Sequence, residues 1–202
     1  FFANLSHEMK TPLTLISNYM DSYLEKHRAE DEILIIKNNI DKLLEDMINF
    51  FDIQKLERGI ILYEHDKIVD LSSTLRQKID LYRSLISKIE ISVSQQIQND
   101  IYIKADPSAI ERVINNLLNN AVRYNKNTGF IKVVLTGSEI ETRLSIKDGG
   151  IGIEKEEVEH IFERYYQVSH KKKNIQGIGM GLSIVKEIVQ SLNGKIEVES
   201  KP

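Results

Sequence analysis

At Arg58-Gly59 the apolar period of this chain changes, and that break constrains the fold more than any other feature. Before it, two sets of hydrophobic residues recur every three or four positions: Phe2, Leu5, Met9, Leu13, Ile16, Met20 and Leu24, then Ile33, Ile36, Ile40, Leu43, Met47 and Phe50. Such spacing puts each set on one face of an α-helix. The second set has a heptad rhythm that suits left-handed antiparallel packing, and the polar link from Lys26 to Asp31 makes a helical hairpin. Two helices leave half of their apolar seam open, so the hairpin is predicted to self-associate into a four-helix bundle, as a homodimer.

After the break, short β-branched runs alternate with helical stretches. The runs are Ile60 to Tyr63, Ile89 to Val93, Ile101 to Ile103, Phe130 to Leu135, Thr142 to Lys147 and Lys195 to Val198. Helices are predicted from about Leu71 to Ser87, Pro107 to Tyr124, Glu154 to Phe162 and Gly181 to Leu192, with Asp106 capping the helix that begins at Pro107. This pattern reads as an α+β domain, 59–202, following a helical hairpin, 1–58. The polar stretch between Tyr165 and Gly181 is long enough to serve as a lid, and Lys171 to Lys173 within it read as its solvated face in preference to a phosphate contact.

Composition removes several functions. A formal net charge of −3 carries no nucleic-acid footprint, and no apolar run reaches the length of a membrane span. The absence of cysteine removes disulfides, thiolate metal sites and thiol nucleophiles, and is compatible with a reducing cytoplasm. The chain opens at Phe1 without a starter Met and stops just after a strand-like segment, so it reads as part of something longer.

Chemistry concentrates in three places. In the first helix His7 lies about 200° around from Leu5, at roughly 100° per residue, so it faces water; Thr11 shares its meridian and Glu8 borders it. Pro12 removes an N–H and its ring meets the Glu8 carbonyl, bending the helix beside His7. A neutral imidazole is a competent nucleophile, and a neighbouring carboxylate can take the proton of its other nitrogen. His27, His65, His160 and His170 lack such surroundings and read as surface residues. On the helix from Pro107, the stripe Ile110, Val113, Ile114, Leu117, Leu118 and Ala121 is the buried face, while Asn116, Asn120 and Arg123 form a polar ridge edged by Tyr124. An amide oxygen is a hard ligand that suits Mg²⁺, and arginine pairs with phosphate. Four asparagines, Asn115, Asn116, Asn119 and Asn120, lower the intrinsic helicity of that segment, so something other than helix stability selects them.

Third, six of the ten glycines fall between positions 149 and 181, as Asp148-Gly149-Gly150-Ile151-Gly152 and Gly177-Ile178-Gly179-Met180-Gly181-Leu182. Glycine stands where backbone must approach a ligand closely. Asp148, at a strand end, can accept a hydrogen bond from an exocyclic amine, and the second glycine group runs into a helix whose first amides favour an anion. This is neither the dinucleotide fingerprint nor a P-loop, since no Gly-Lys-Ser/Thr closes it.

These strings together resemble the catalytic core of a two-component sensor histidine kinase, over nearly the whole chain. Ser6 to Leu13 resembles the H box, which implies His7 as phosphoacceptor, Glu8 as its acid–base partner and Thr11 as the residue orienting water in a phosphatase reaction. Asn116 to Tyr124 resembles the N box, implying Asn120 as the Mg²⁺ ligand with Asn116, Arg123 and Tyr124 around ATP. Asp148 to Gly152 matches the first glycine box, which brings Gly150 and Gly152 to the nucleotide and Asp148 to the adenine amine. Phe162 to Tyr166, with Arg164, resembles the F box, and Gly177, Gly179, Gly181 and Leu182 the second glycine box. Lys10 stands where arginine is commoner and Gly149 where Asn or Thr is more usual.

The resemblance implies a dimeric four-helix bundle followed by an α+β sandwich of the Bergerat type, truncated at its C-terminus. It further implies ATP and Mg²⁺ as cofactors, a response-regulator receiver as partner, and a cytoplasmic portion of a membrane-anchored sensor with no membrane contact in this segment. Two rival readings remain: an ATP-hydrolysing clamp like the gyrase, chaperone and mismatch-repair ATPases, which does not require His7, and an inactive ATP-binding dimerisation scaffold.

Overall fold

The computed structural model describes residues 13–24, 31–58, 60, 63–86, 89–168 and 179–201. The chain divides into two compact units, Phe1–Leu62 and Tyr63–Pro202. His7, Glu8 and Thr11, with the Pro12 bend, lie outside the described residues, as do Lys171 to Lys173, Gly177, His27 and His170.

In the first unit, residues 13–24 are helical (α1) and α2 runs Asp31–Glu57. The heptad reading of α2 resolves into two rows. Ile33, Ile40 and Met47 are half-buried, whereas Ile36, Leu43 and Phe50, also seven residues apart, are exposed. A polar bridge joins α1 and α2: Ser17 Oγ donates to Asp41 Oδ1 (2.6 Å), and Lys37 Nζ contacts Asp41 Oδ2 and lies 3.3 Å from Asp21 Oδ1. Burial opposes the charge on Lys37, but its hydrogen bonds to Asp41 and Asp21 outweigh that and hold its pKa above the ordinary lysine value. Burial likewise pushes the Asp41 carboxyl up, and the hydrogen bonds from Lys37 and Ser17 prevail to hold it below the usual range. Helix α2 stops where Ile60 N–H bonds the Lys55 carbonyl (3.0 Å), the six-to-one closure common at helix ends.

The second unit is α+β. Strand β1 (Lys67–Asp70) pairs antiparallel with β3 (Tyr102–Ala105), Val69 opposite Ile103. A three-stranded sheet has the order β2 (Ser92–Ile97), β4 (Phe130–Gly137), β5 (Thr142–Asp148), with β2 parallel and β5 antiparallel to β4. A parallel pair needs a long crossover, and here β3 and α4 (Pro107–Arg123) lie in it. Helix α3 (Leu71–Leu85) packs on β1, β2, β3 and α4, while α4 also meets β5 and α6 (Gly181–Ser191). Alternation along β4 sends Ile131, Val133 and Leu135 into a core shared with Leu75 and Ile79 of α3 and Ile110, Ile114, Leu118 and Ala121 of α4.

Several elements depart from the sequence reading. Ile60 and Tyr63 lie in irregular chain, and the first strand is instead Lys67–Asp70, whose Val69 alone is buried. Lys195 to Val198 alternates like a strand but joins no ladder among the described residues; the segment is held at Ser200, whose Oγ accepts from Ile153 N (2.9 Å). Alternation supplies a face, but a strand also needs a neighbouring edge. The helix expected from Glu154 to Phe162 shortens to α5 (Lys155–Val158) and continues as turns to Tyr165, which adopts φ +66°. Leu117, expected in the buried stripe of α4, is only half-buried.

Asp106 caps α4 as expected, its carboxylate accepting from Ser108 N (2.8 Å). The Ser108 hydroxyl is the main cause that holds this carboxyl below its ordinary 3.8. Its folded pKa is therefore below its unfolded one, so the stabilisation is present above pH 3.8 and is lost as pH falls through the folded value. Asp106→Ala is expected to cost about 1 kcal/mol in urea unfolding at neutral pH with an unchanged m-value. The difference from the native chain should vanish under acid.

Candidate functional site

The polar ridge and the first glycine group meet at the C-terminal end of α4. Tyr124 ends the helix with its N–H on the Asn120 carbonyl (3.0 Å), and its own carbonyl accepts from Ile151 N (3.1 Å). The next residue, Asn125, is buried at 4% exposure and bridges to Gly150. Its Nδ2 donates to the carbonyls of Ala121 and Phe130 (both 3.0 Å), and its Oδ1 accepts from Lys126 N (3.0 Å). Phe130 O also accepts from Gly149 N (2.9 Å). One side chain thus ties the last turn of α4, the start of β4 and the glycine loop together.

Around that junction the expected residues gather. Asp148 is exposed at the end of β5, and its Oδ1 accepts from Gly150 N (2.9 Å), so the carboxylate is held at the loop mouth. A Cβ on Gly150 would lie 2.6 Å from Tyr124 O and 2.5 Å from Asp148 Oδ1, so only glycine fits. Gly152 adopts φ +73°. Asn116 and Asn120 are half-buried one turn apart on α4, and Arg123 is exposed beyond them.

The second glycine group comes against the same ridge. Asn116 Nδ2 donates to Arg112 O (2.9 Å), and its Oδ1 stands 2.4 Å from where a Gly181 Cβ would be. Gly181 opens α6, with half-buried Leu182 next; the cap position is Met180, whose side chain carries no oxygen to offer the first-turn amides. Those amides and the helix dipole favour an anion beside Asn116. Gly179, at φ +74°, accepts through its carbonyl from Tyr165 N (3.0 Å). Arg164 is engaged elsewhere: its Nη2 lies 3.1 Å from Glu187 Oε1, fastening the turn before Tyr165 to α6.

The residues present fit a nucleoside triphosphate with a hard cation. A carboxylate at one end, glycine backbone and a free helix N-terminus at the other, and an amide ridge between them match base, phosphate and metal in turn. Among the described residues no three His, Cys, Asp or Glu side chains converge to hold a metal. An ion at Asn120 would therefore take most of its shell from phosphate and water, as Mg²⁺ does.

Comparison with known proteins decides the family. Residues 105–202 match the model described as "Histidine kinase-, DNA gyrase B-, and HSP90-like ATPase", and residues 1–59 match the "His Kinase A (phospho-acceptor) domain". The chain belongs to the sensor histidine kinases. It is 28% identical to sensor histidine kinase WalK of Bacillus subtilis, over 99% of this chain and 34% of WalK, and 28% identical to YcbM of the same organism, over 98% of this chain and 66% of YcbM. The chain thus spans from a third to two thirds of these relatives. Its fold is shared with full-length ShkA solved with AMPPNP (TM-score 0.69, 23% identity, 94% of this chain and 40% of that one). It is also shared with histidine kinase ThkA in complex with response regulator protein TrrA (TM-score 0.60, 23% identity, 95% and 54%). No helix among the described residues of the kinase core is long and apolar enough to cross a membrane.

The sequence reading missed two residues of this core. Asn125 carried a signal, since an asparagine just past a helix end and four residues before Gly129 is typical turn chemistry, but nothing local says it is buried. His65, read as a surface residue, is half-buried and bonded on both ring nitrogens, to Asp106 N (3.1 Å) and Ser191 Oγ (2.8 Å). His160 is exposed as expected, although the hydrogen bond to Glu163 (2.7 Å) raises its pKa.

Two substitutions test this geometry. Gly181→Ala should leave the melting temperature equal or higher, because alanine favours the helix, yet weaken binding of an ATP analogue at least ten-fold by displacing the Asn116 amide; isothermal titration reads the loss. Asn125→Asp, which keeps shape but removes two donors from buried carbonyls, should cost about 1–3 kcal/mol in chemical unfolding.

Proposed function

We propose that this chain is the kinase core of a sensor: it transfers the terminal phosphoryl group of Mg-ATP to His7 and passes it to an aspartate of a response-regulator receiver. The observation that carries the reading is the presence, in one chain, of a phosphoacceptor-type hairpin bearing His7 and an ATPase module whose amide ridge, glycine loop and helix N-terminus converge. The hairpin disfavours the clamp reading, which has no use for it.

In this mechanism Asp148 holds the exocyclic amine of adenine and the Tyr124 ring flanks the base. Asn116, Arg123 and the Gly181 end of α6 hold phosphate oxygens, and Gly150, Gly152, Gly177 and Gly179 give the backbone close approach. Arg164 serves the site indirectly, through Glu187. Asn120 would hold Mg²⁺, which when bound would supply charge neutralisation at the phosphates. The neutral imidazole of His7 attacks phosphorus, an N–P bond forming as the P–O bond to ADP breaks, and Glu8 takes the ring proton. Thr11 orients water when the regulator is dephosphorylated. Two such cores pair as a homodimer through the exposed row Ile36, Leu43 and Phe50, a heptad seam that one hairpin leaves open. The receiver docks on the bundle near His7, where the phosphoryl group is held; a regulator as partner is supported by the complex solved for ThkA with TrrA. The core works on the cytoplasmic side of a membrane-anchored sensor, whose stimulus controls docking of the ATP module.

Incubation with Mg²⁺ and γ-labelled ATP should give acid-labile, alkali-stable label on the protein. His7→Gln should abolish it, and Asn120→Ala should lower it at least a hundred-fold while raising the Mg²⁺ requirement. Phosphate release without protein label would mean a clamp, and binding alone a scaffold.

A further inference from the structure

Residues 63–66, which lead into β1, are fastened to the helical layer of the second unit at two separate places. Tyr63 Oη accepts from Arg112 Nη1 of α4 (2.9 Å). His65 Nδ1 accepts from the backbone N–H of Asp106, the cap of α4 (3.1 Å), and its Nε2 lies 2.8 Å from Ser191 Oγ at the last turn of α6. The two rings stack, with centroids 6.4 Å apart and planes 28° from parallel.

The donors fix the tautomer. A backbone N–H can only donate, so Nδ1 is the acceptor and the ring proton sits on Nε2, where it is given to Ser191 Oγ. The Ser191 hydroxyl in turn donates to Ile188 O (2.7 Å). This His–Ser pair therefore cannot work as a hydrolytic dyad: the nitrogen facing serine already carries a proton, and no carboxylate holds the other. Its product is mechanical, a strap from the leading segment to the start of α4 and the end of α6.

We propose that Tyr63 and His65 are positioning residues for phosphoryl transfer, clamping the leading segment to the ATP module so that the tether between α2 and the module ends at Tyr63. The proposal rests on the kinase reading above. Ile60 is bonded back to the end of α2, so the tether runs from 61 to Tyr63 with both anchors closed and to β1 at Lys67 with both open. Effective concentration falls as a tether lengthens. The orientation imposed by two anchor points is lost in addition. The side-chain hydrogen bonds of Asn116 and Asp148 run to Arg112 O and Gly150 N, so nucleotide binding is expected to be spared.

The test uses the whole chain with His65→Ala, Tyr63→Phe, the double variant Tyr63→Phe/His65→Ala, and His65→Asn, the last keeping an acceptor at the δ position. Hydrogen exchange at the Asp106 amide reads the clamp without reference to activity: protection should fall at least ten-fold in His65→Ala and survive in His65→Asn. AMPPNP affinity and the KM for ATP should stay within two-fold. The rate of His7 labelling at saturating ATP should fall at least three-fold in the double variant, which removes both anchors, with less loss in each single variant and His65→Asn near the native rate. Loss of AMPPNP affinity in step with labelling, or unchanged labelling in the double variant once protection is lost, would overturn the positioning role. A native chain that binds AMPPNP and shows the protected amide but never labels His7 would instead sink the kinase reading.

Discussion

The hydrogen bonds of the buried Asn125 amide are the interaction on which the site depends. A helix and a glycine loop have no intrinsic reason to keep a fixed separation, since each satisfies its own backbone. Asn125 removes that freedom by giving one amide proton to the end of α4 and the other to the start of β4, whose Phe130 carbonyl also holds Gly149. The crowding is severe: a Cβ on Gly129 would fall 1.7 Å from Asn125 Oδ1, so the turn and the amide are mutually required. Asn120 and Arg123 on one side and Asp148 on the other then stand at a set distance, as a preorganised site requires.

The second glycine group follows a related logic at the opposite end of the ridge. Gly181 lets α6 begin against Asn116, and the buried Ile184, Val185 and Ile188 of α6 hold that helix in place. Arg164 and Glu187 fasten the preceding turn to the same helix. The Asn116 end of the site is thus built on packed helices and the Asp148 end on a hydrogen-bonded loop. His65 and Tyr63 add a third fixed point, where chain arriving from the hairpin meets α4 and α6.

Much of this was legible because periodicity and special residues report local physics. The stripe Ile110, Val113, Ile114, Leu118 and Ala121 marked the buried face of α4, and Asp106-Pro107 marked its start. The exposed row Ile36, Leu43 and Phe50 was legible as a seam but not as the uncovered half of one, because both rows of a heptad look alike in sequence. Strands were read less well where pairing decides. Lys195 to Val198 has the alternation of a strand yet no ladder, whereas Lys67–Asp70, with one buried residue, is a strand because β3 lies alongside. Four asparagines on α4 drew notice together, but their partners separate them: Asn119 accepts from the Tyr82 hydroxyl (2.6 Å) while Asn116 stands against Gly181.

By itself the sequence determined which residue types were available and on which face of each element they stand: the helical hairpin, the amide ridge, the two glycine groups and the family to which they belong. These are consequences of chain geometry within one or two turns. Only the tertiary structure decided that Asn125 is the buried pin and that His65 is a strap rather than a surface residue. It also decided that Arg164 is paired with Glu187. Each depends on a partner at least several residues away, and often more than twenty, whose approach is set by packing of the core.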